Sequence, residues 1–424
     1  MNEWVRAHPN RAHFVPMPPA SRALPDNPRF AERMALYFGA LFLIYGVHIT
    51  YFPVWLAYRG LTPEQIGLIT ALPIFMRTVL TPVIAARADT HANHRQMVIV
   101  LSVAAAALAI AMSFCHTFWP LLAVSVPFAI SVSSIMPLTE TIAVEGVRTA
   151  GHDYGRMRLW GSAAFLLATV VTGIMYDLYG SAVGIYVMIA ATVLTAAAAF
   201  ALPVPARETP SEGTLEAVLD LPGSSEAGLV RQLLLQPVFA AFLVCVGAIL
   251  GSHAAFYTFG ALHLKSQGLS GTAFSALWGM SIFAEIALLA ASLPLVARFG
   301  PVRLLMAGGI AAVVRWGAMS LDPPFAGLVV LQALHAFTYG AAHLGAIHFI
   351  AQAVPTRATG TAQGLYSAIG SGLITGLAVL ASGHLYPLLG GRTFLAMGAL
   401  ALLGVAAAVW IEKSWDRKPI EVAA

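Results

Sequence analysis

Charge is the first thing this chain lacks. Of its 424 residues only 10% are Asp, Glu, Lys or Arg, against about a quarter in a soluble domain, which excludes a water-soluble globular protein. Cysteine is nearly absent too: Cys115 and Cys245 lie inside apolar runs without ligand spacing, so they pack and do not form a metal site. The net charge of +4 is too small to suggest nucleic acid as a partner. No nucleophile–base or metal constellation appears, which argues against an intramembrane enzyme. His343 and His348 are five residues apart and point differently, so neither haem nor metal fits and no cofactor is implied. The polar, proline-rich opening (HPNRAHFVPMPPASRALPDNPR) has no apolar signal core and reads as a disordered tail.

What the chain has is apolar length. It is 58% hydrophobic with a mean hydropathy of +0.78, and windows of about 20 apolar residues, enough to cross a bilayer, fit twelve times. The expected organisation is a tail over 1–33, six helices over 34–202, a charged linker over 203–236, six helices over 237–411 and a second tail over 412–424. With both termini inside, seventeen Lys and Arg fall on the cytoplasmic side, three outside and three within helices. The positive-inside rule then sets both ends in the cytoplasm. A multi-pass protein of a bacterial-type inner membrane is expected, acting as a monomer in the bilayer.

Three ionisable residues stand on successive apolar segments of the second half: Glu285, Arg315 and His335. Such groups are costly at membrane depth and face a cavity, a partner or the protein core. The first half offers Glu140 and Arg158, one on each of two antiparallel neighbours, which can meet either as a structural salt bridge or as cavity lining. Arg77 lies ten residues before Arg87, about 15 Å into the membrane. There it can hold a carboxylate through two parallel hydrogen bonds, or satisfy groups of its own half. Tyr45, His48 and Tyr51, with His253, Phe256 and Tyr257, recur at one-turn spacing and can form walls for a ring. Tyr37, Trp55, Trp119 and Trp410 read as interfacial anchors. Glycines of the tenth and eleventh helices, among them Gly340, Gly345 and Gly376, allow close helix approach. Pro73, Pro82, Pro127 and Pro137 should bend their helices.

Six plus six helices joined by a linker resembles the plan of the major facilitator transporters. The loop AARADTHANHR is similar to that superfamily's signature, with Asp89 and Arg95 kept. ARFGPVRLL repeats the loop in the second half with Arg298, Gly300 and Arg303, but has Ala297 in place of the acid. YGRMRLWGSAAFLLATVVTGIMYD resembles the fifth helix of the lactose permease group, which implies substrate-binding roles for Glu140 and Arg158. It also implies roles for Glu285, Arg315 and His335; that group's proton-carrying acid and lysine are Thr338 and Gln332 here. The phenylpropionate permease branch is similar over more of the chain, notably in SHAAFY, AEI and QALHAFTYG, and it also has an arginine at Arg77. The resemblance implies an all-helical major facilitator fold and proton-linked uptake of an aromatic carboxylate. In this reading Glu285 takes the proton, His335 and Arg315 adjust it, and the substrate binds between the halves with Arg77 on its carboxylate. A nucleoside or sugar symporter, and a protein that handles or senses lipid, remain open at this point.

Overall fold

The structure, a computed structural model, describes residues 29–90, 93–203 and 223–420. Most of the expected first tail and the first part of the linker lie outside the described residues. Six helices form the first half: α1 (Phe30–Tyr58), α2 (Pro63–Thr90), α3 (His94–Ser113), α4 (Phe118–Ala150), α5 (Tyr154–Tyr179) and α6 (Val183–Phe200). The linker segment contains α7 (Gly223–Leu235). In the second half α8 (Pro237–Gly251) and α9 (Ala254–Ser266) make the seventh crossing, α10 (Gly271–Ala290) and α11 (Ser292–Phe299) the eighth, and α12 (Pro301–Met319) the ninth. The tenth is α13 (Phe325–Ala333), a π-helical stretch (Ala336–Ala341) and α14 (Ala342–Ala353). The eleventh is α15 (Thr359–Leu365), a second π stretch (Tyr366–Ile374) and α16 (Thr375–Leu389); α17 (Thr393–Ser414) is the twelfth.

Among the described residues, eleven stretches are long and apolar enough to span a bilayer, and the last of them, Thr356–Ser414, holds two crossings. The chain reverses at Gly390, whose φ of +54° is left-handed backbone that favours glycine. α17 then runs antiparallel to α12, with Phe394 stacked on Trp316 at 6.0 Å near one end and Glu412 on Arg303 at the other. Local signals set several other boundaries. Asp153 caps α5 by accepting from Arg156 N (3.1 Å), and Ser270 caps α10 by accepting from Ala273 N (3.1 Å).

Arg95 lies at the start of α3 and donates to the carbonyls of Phe200 (2.8 Å) and Leu202 (2.9 Å), closing the end of α6. Arg303 takes the same place on α12 and donates to Glu412 near the end of α17 (3.1 Å). Arg303 thus finds its acid on the twelfth crossing, where Glu412 also accepts from Arg417 (2.5 Å). Gly300 turns the chain into α12 with φ +73°, and Arg298 is exposed beside the Phe299 ring. Asp89 lies on α2, and its side chain is outside the described residues.

Each half has a core of its own, and a third apolar cluster is shared. Tyr51, Val54, Ala71 and Tyr176 of the first half pack with Phe256, Phe274, Trp278 and Trp316 of the second, toward the face opposite the chain ends. Polar contacts seal the same face. Asp177 at the end of α5 accepts from Gly271 N (2.6 Å), Thr272 N (2.8 Å) and Thr272 Oγ1 (2.6 Å), at the start of α10. Tyr51 Oη donates to Gly271 O (2.8 Å), and Ser275 Oγ donates to Thr169 O (2.7 Å). The protein is thus closed on the face away from its termini. Two of the expected anchors prove to be core: Tyr37 and Trp55 are buried, because α1 runs through the middle of the first half between α5 and α6. Trp119 and Trp410 are exposed, as anchors require.

Candidate functional site between the halves

The second-half residues converge on Arg315, which is only 1% exposed. Its Nη1 donates to His335 Nδ1 (3.1 Å) and to Thr338 Oγ1 (3.1 Å), and its Nη2 donates to Gln332 Oε1 (2.7 Å). Ser281 Oγ also donates to Gln332 Oε1 (2.9 Å). The guanidinium lies 4.5 Å from the Trp316 ring centroid and 5.5 Å from that of Phe256. A buried cation is costly unless it is paired or fully hydrogen-bonded. Here neutral acceptors and ring faces carry most of that role, and the nearby carboxylate, Glu285, is reached through His335 Nε2 at 3.6 Å. The two positions where the lactose permease group has charged residues, Thr338 and Gln332, are thus hydrogen-bond partners of Arg315.

This network fixes the protons. A guanidinium has donors only, so His335 Nδ1 must accept, and the proton of the neutral ring sits on Nε2 facing Glu285. Thr338 Oγ1 accepts from Arg315 and donates to His253 Nε2 (2.9 Å), while His253 Nδ1 faces the carbonyls of Ile249 and Leu250. His253 is fully buried and holds this network in place; it does not form a free wall. Tyr257 stacks beside it at 5.5 Å and is half-buried, within electrostatic reach of Glu285 and Arg315. The π-helical stretch begins immediately after His335, an irregularity that often marks a functional position. Gly340 within it leaves room for the Glu285 side chain, since a Cβ there would lie 3.3 Å from Glu285 Cγ.

In the first half Glu140 accepts from Tyr154 Oη (3.1 Å), and the Arg158 guanidinium lies over the Phe42 ring at 4.0 Å. The expected meeting of Glu140 and Arg158 runs through Tyr154, whose hydroxyl interacts with both. Tyr45 Oη donates to Val132 O (3.1 Å) and lies near Arg77, Arg158 and Glu140. His48 stacks on Phe52 at 4.8 Å and tilts against Phe128, so it packs within its own half. Arg77 differs from all of these: it is exposed although it stands midway along α2. A guanidinium at that depth is untenable against lipid, so it faces a solvent-accessible cavity. Across that cavity Tyr339 is within electrostatic reach of both Arg77 and Glu285, linking the two halves of the site. Among the described residues no group of three or more His, Cys, Asp and Glu side chains gathers as a metal would need.

Comparison with known proteins identifies the family. The chain is 31% identical over 371 residues to the "Probable 3-phenylpropionic acid transporter" of Escherichia coli (strain K12), covering 87% of this chain and 94% of that one. It is 26% identical over 358 residues to the "Maltose permease" of Geobacillus stearothermophilus, covering 84% and 86%. The solved structure of the nucleoside transporter NupG superposes with a TM-score of 0.77 at 17% identity, over 92% of this chain and 100% of that one. These relatives are transporters and permeases. The model of the MFS_1 like family matches residues 34–396, and the chain is therefore a member of that family, a multi-pass membrane transporter of the major facilitator fold, in agreement with its resemblance to the phenylpropionate permease branch.

Proposed function

We propose that this protein is a proton-coupled symporter that takes up a small aromatic carboxylate by alternating access. The observation that carries the reading is Arg77, an exposed guanidinium midway along its helix that shares Tyr339 with Glu285 across the cavity. A guanidinium there binds an anion far better than a neutral solute, because a carboxylate accepts two parallel charge-assisted hydrogen bonds. Arg77, Arg158 and Arg315 set three positive charges against the two negative charges of Glu140 and Glu285. Protonating Glu285 leaves an excess that a substrate carboxylate offsets, so anion and proton favour each other's binding, and linkage makes that favour reciprocal. The terminal face, rich in Lys and Arg, is the cytoplasmic one in this reading, and the protein acts as a monomer in a bacterial inner membrane. The name of the Escherichia coli relative supports the aromatic acid. A sugar or nucleoside is the second reading. It is favoured by the polar Glu140–Tyr154–Arg158 group and by the names of the maltose and nucleoside relatives.

Binding separates the two. Purified protein should bind 3-phenylpropionate more tightly than its neutral amide by about 10- to 100-fold, as expected for a charge-assisted pair. Arg77→Ala should erase most of that difference. Equal affinity for acid and amide, or stronger binding of maltose or a nucleoside, would move the substrate to the second class.

A further inference from the structure

We propose that His343 is the residue that takes the proton from Glu285 and hands it to solvent on the terminal face, with Tyr339 between them. This rests on the symport reading above. The tenth crossing carries three rings on one face: Tyr339 stacks on His335 at 5.4 Å with planes 17° apart, and on His343 at 6.1 Å with planes 13° apart. His335 and His343 are eight residues apart, about two turns further along the crossing toward the terminal face.

The two histidines differ in what their partners allow. Arg315 can only donate, so His335 Nδ1 is held as an acceptor, and adding a second proton would set that nitrogen's hydrogen against a guanidinium. His335 therefore aims Glu285 but does not carry its proton. His343 Nδ1 lies 2.9 Å from Tyr366 Oη. A hydroxyl donates to the neutral ring and accepts from the protonated one, so His343 keeps its hydrogen bond in either state. The charged and titratable groups around this ladder are Tyr366 on the eleventh crossing, Glu285 on the eighth, Arg77 on α2, Arg315 on α12, His253 and Tyr257 on the seventh crossing, and His335 on the same helix. None of them fixes His343 in one protonation state. The step balances simply: the O–H bond of the Glu285 carboxyl breaks, the Tyr339 hydroxyl and cavity water relay the proton, and an N–H bond forms on His343. An N–H of the resulting imidazolium then breaks to water, restoring the neutral ring.

The test uses full-length protein in vesicles whose lumen faces the termini, with a trapped pH dye and labelled 3-phenylpropionate. Wild type, His343→Gln, Tyr366→Phe and Glu285→Gln are compared for substrate-driven proton delivery and for exchange at equal pH. His343→Gln should slow proton delivery by about tenfold or more, spare exchange, and recover when imidazole is trapped in the lumen. Tyr366→Phe should slow delivery less. Proton delivery unchanged in His343→Gln overturns the relay, as does loss of exchange together with delivery, which marks a binding or structural role. Wild type that exchanges substrate without moving protons overturns the symport reading and the relay together.

Discussion

Glu285→Gln is expected to reduce proton-driven accumulation to simple equilibration, a concentration ratio of about one, while exchange of labelled substrate continues. A carrier without its proton site retains alternating access but has no second gradient to draw on. Glutamine keeps the size and the acceptor that face His335 Nε2, so the Arg315 network should persist. Uptake into proteoliposomes under an imposed inward proton gradient, beside exchange at equal pH, checks this. Intact uphill uptake in the variant would remove Glu285 from the coupling role. Loss of exchange as well would point to a substrate contact or to damaged packing around His335.

Asp177→Ala is expected to open the face that is closed here. Asp177 accepts three hydrogen bonds at the start of the eighth crossing. Bonds to a charged group contribute about 1.5–3 kcal/mol each, and some of that is regained from water once the contact opens. A net shift of about 2–4 kcal/mol, or roughly 30- to 1,000-fold in the conformational equilibrium, follows. Labelling of a cysteine placed at Val54, which is buried in the shared cluster while the face is closed, should rise sharply in the variant, in a background lacking Cys115 and Cys245. Transport should fall because the carrier rests open on the face away from its termini. Unchanged labelling would mean that the shared apolar cluster around Tyr51 and Phe274 holds the face without Asp177. The same cluster joins the closed face to the site, since Phe256 packs on Phe274 and Trp278 and lies beneath the Arg315 guanidinium.

The architecture was legible because membrane segments announce themselves by length and hydropathy, and because the loop signature recurs in corresponding places. Glu285, Arg315 and His335 were legible as a group because rare ionisable residues on successive apolar helices have few places to go. Their partners were partly written in the sequence as well: Gln332 and Thr338 flank His335 at three-residue spacing, so they share its face of the helix. Other features needed three dimensions. Trp55 and Tyr37 have the composition of interfacial anchors, and hydropathy does not reveal that α1 passes through the centre of its half. Glu412 reaches Arg303 from far along the chain, and Asp177 seals a face only because α10 begins beside it. Neither leaves a local pattern. The Glu140–Arg158 link was expected as a direct pair and runs instead through Tyr154, which lies one turn before Arg158 and was available as a signal.

In the symport reading a proton gradient drives an aromatic carboxylate through this cavity. The most direct measurement is uptake of labelled 3-phenylpropionate into proteoliposomes with and without an imposed inward proton gradient, beside maltose and a nucleoside. Gradient-dependent accumulation of the aromatic acid, lost in Arg77→Ala, is expected, with no accumulation of the two neutral solutes. Accumulation of maltose or the nucleoside in place of the acid, or uptake of the acid that ignores the proton gradient, would contradict it.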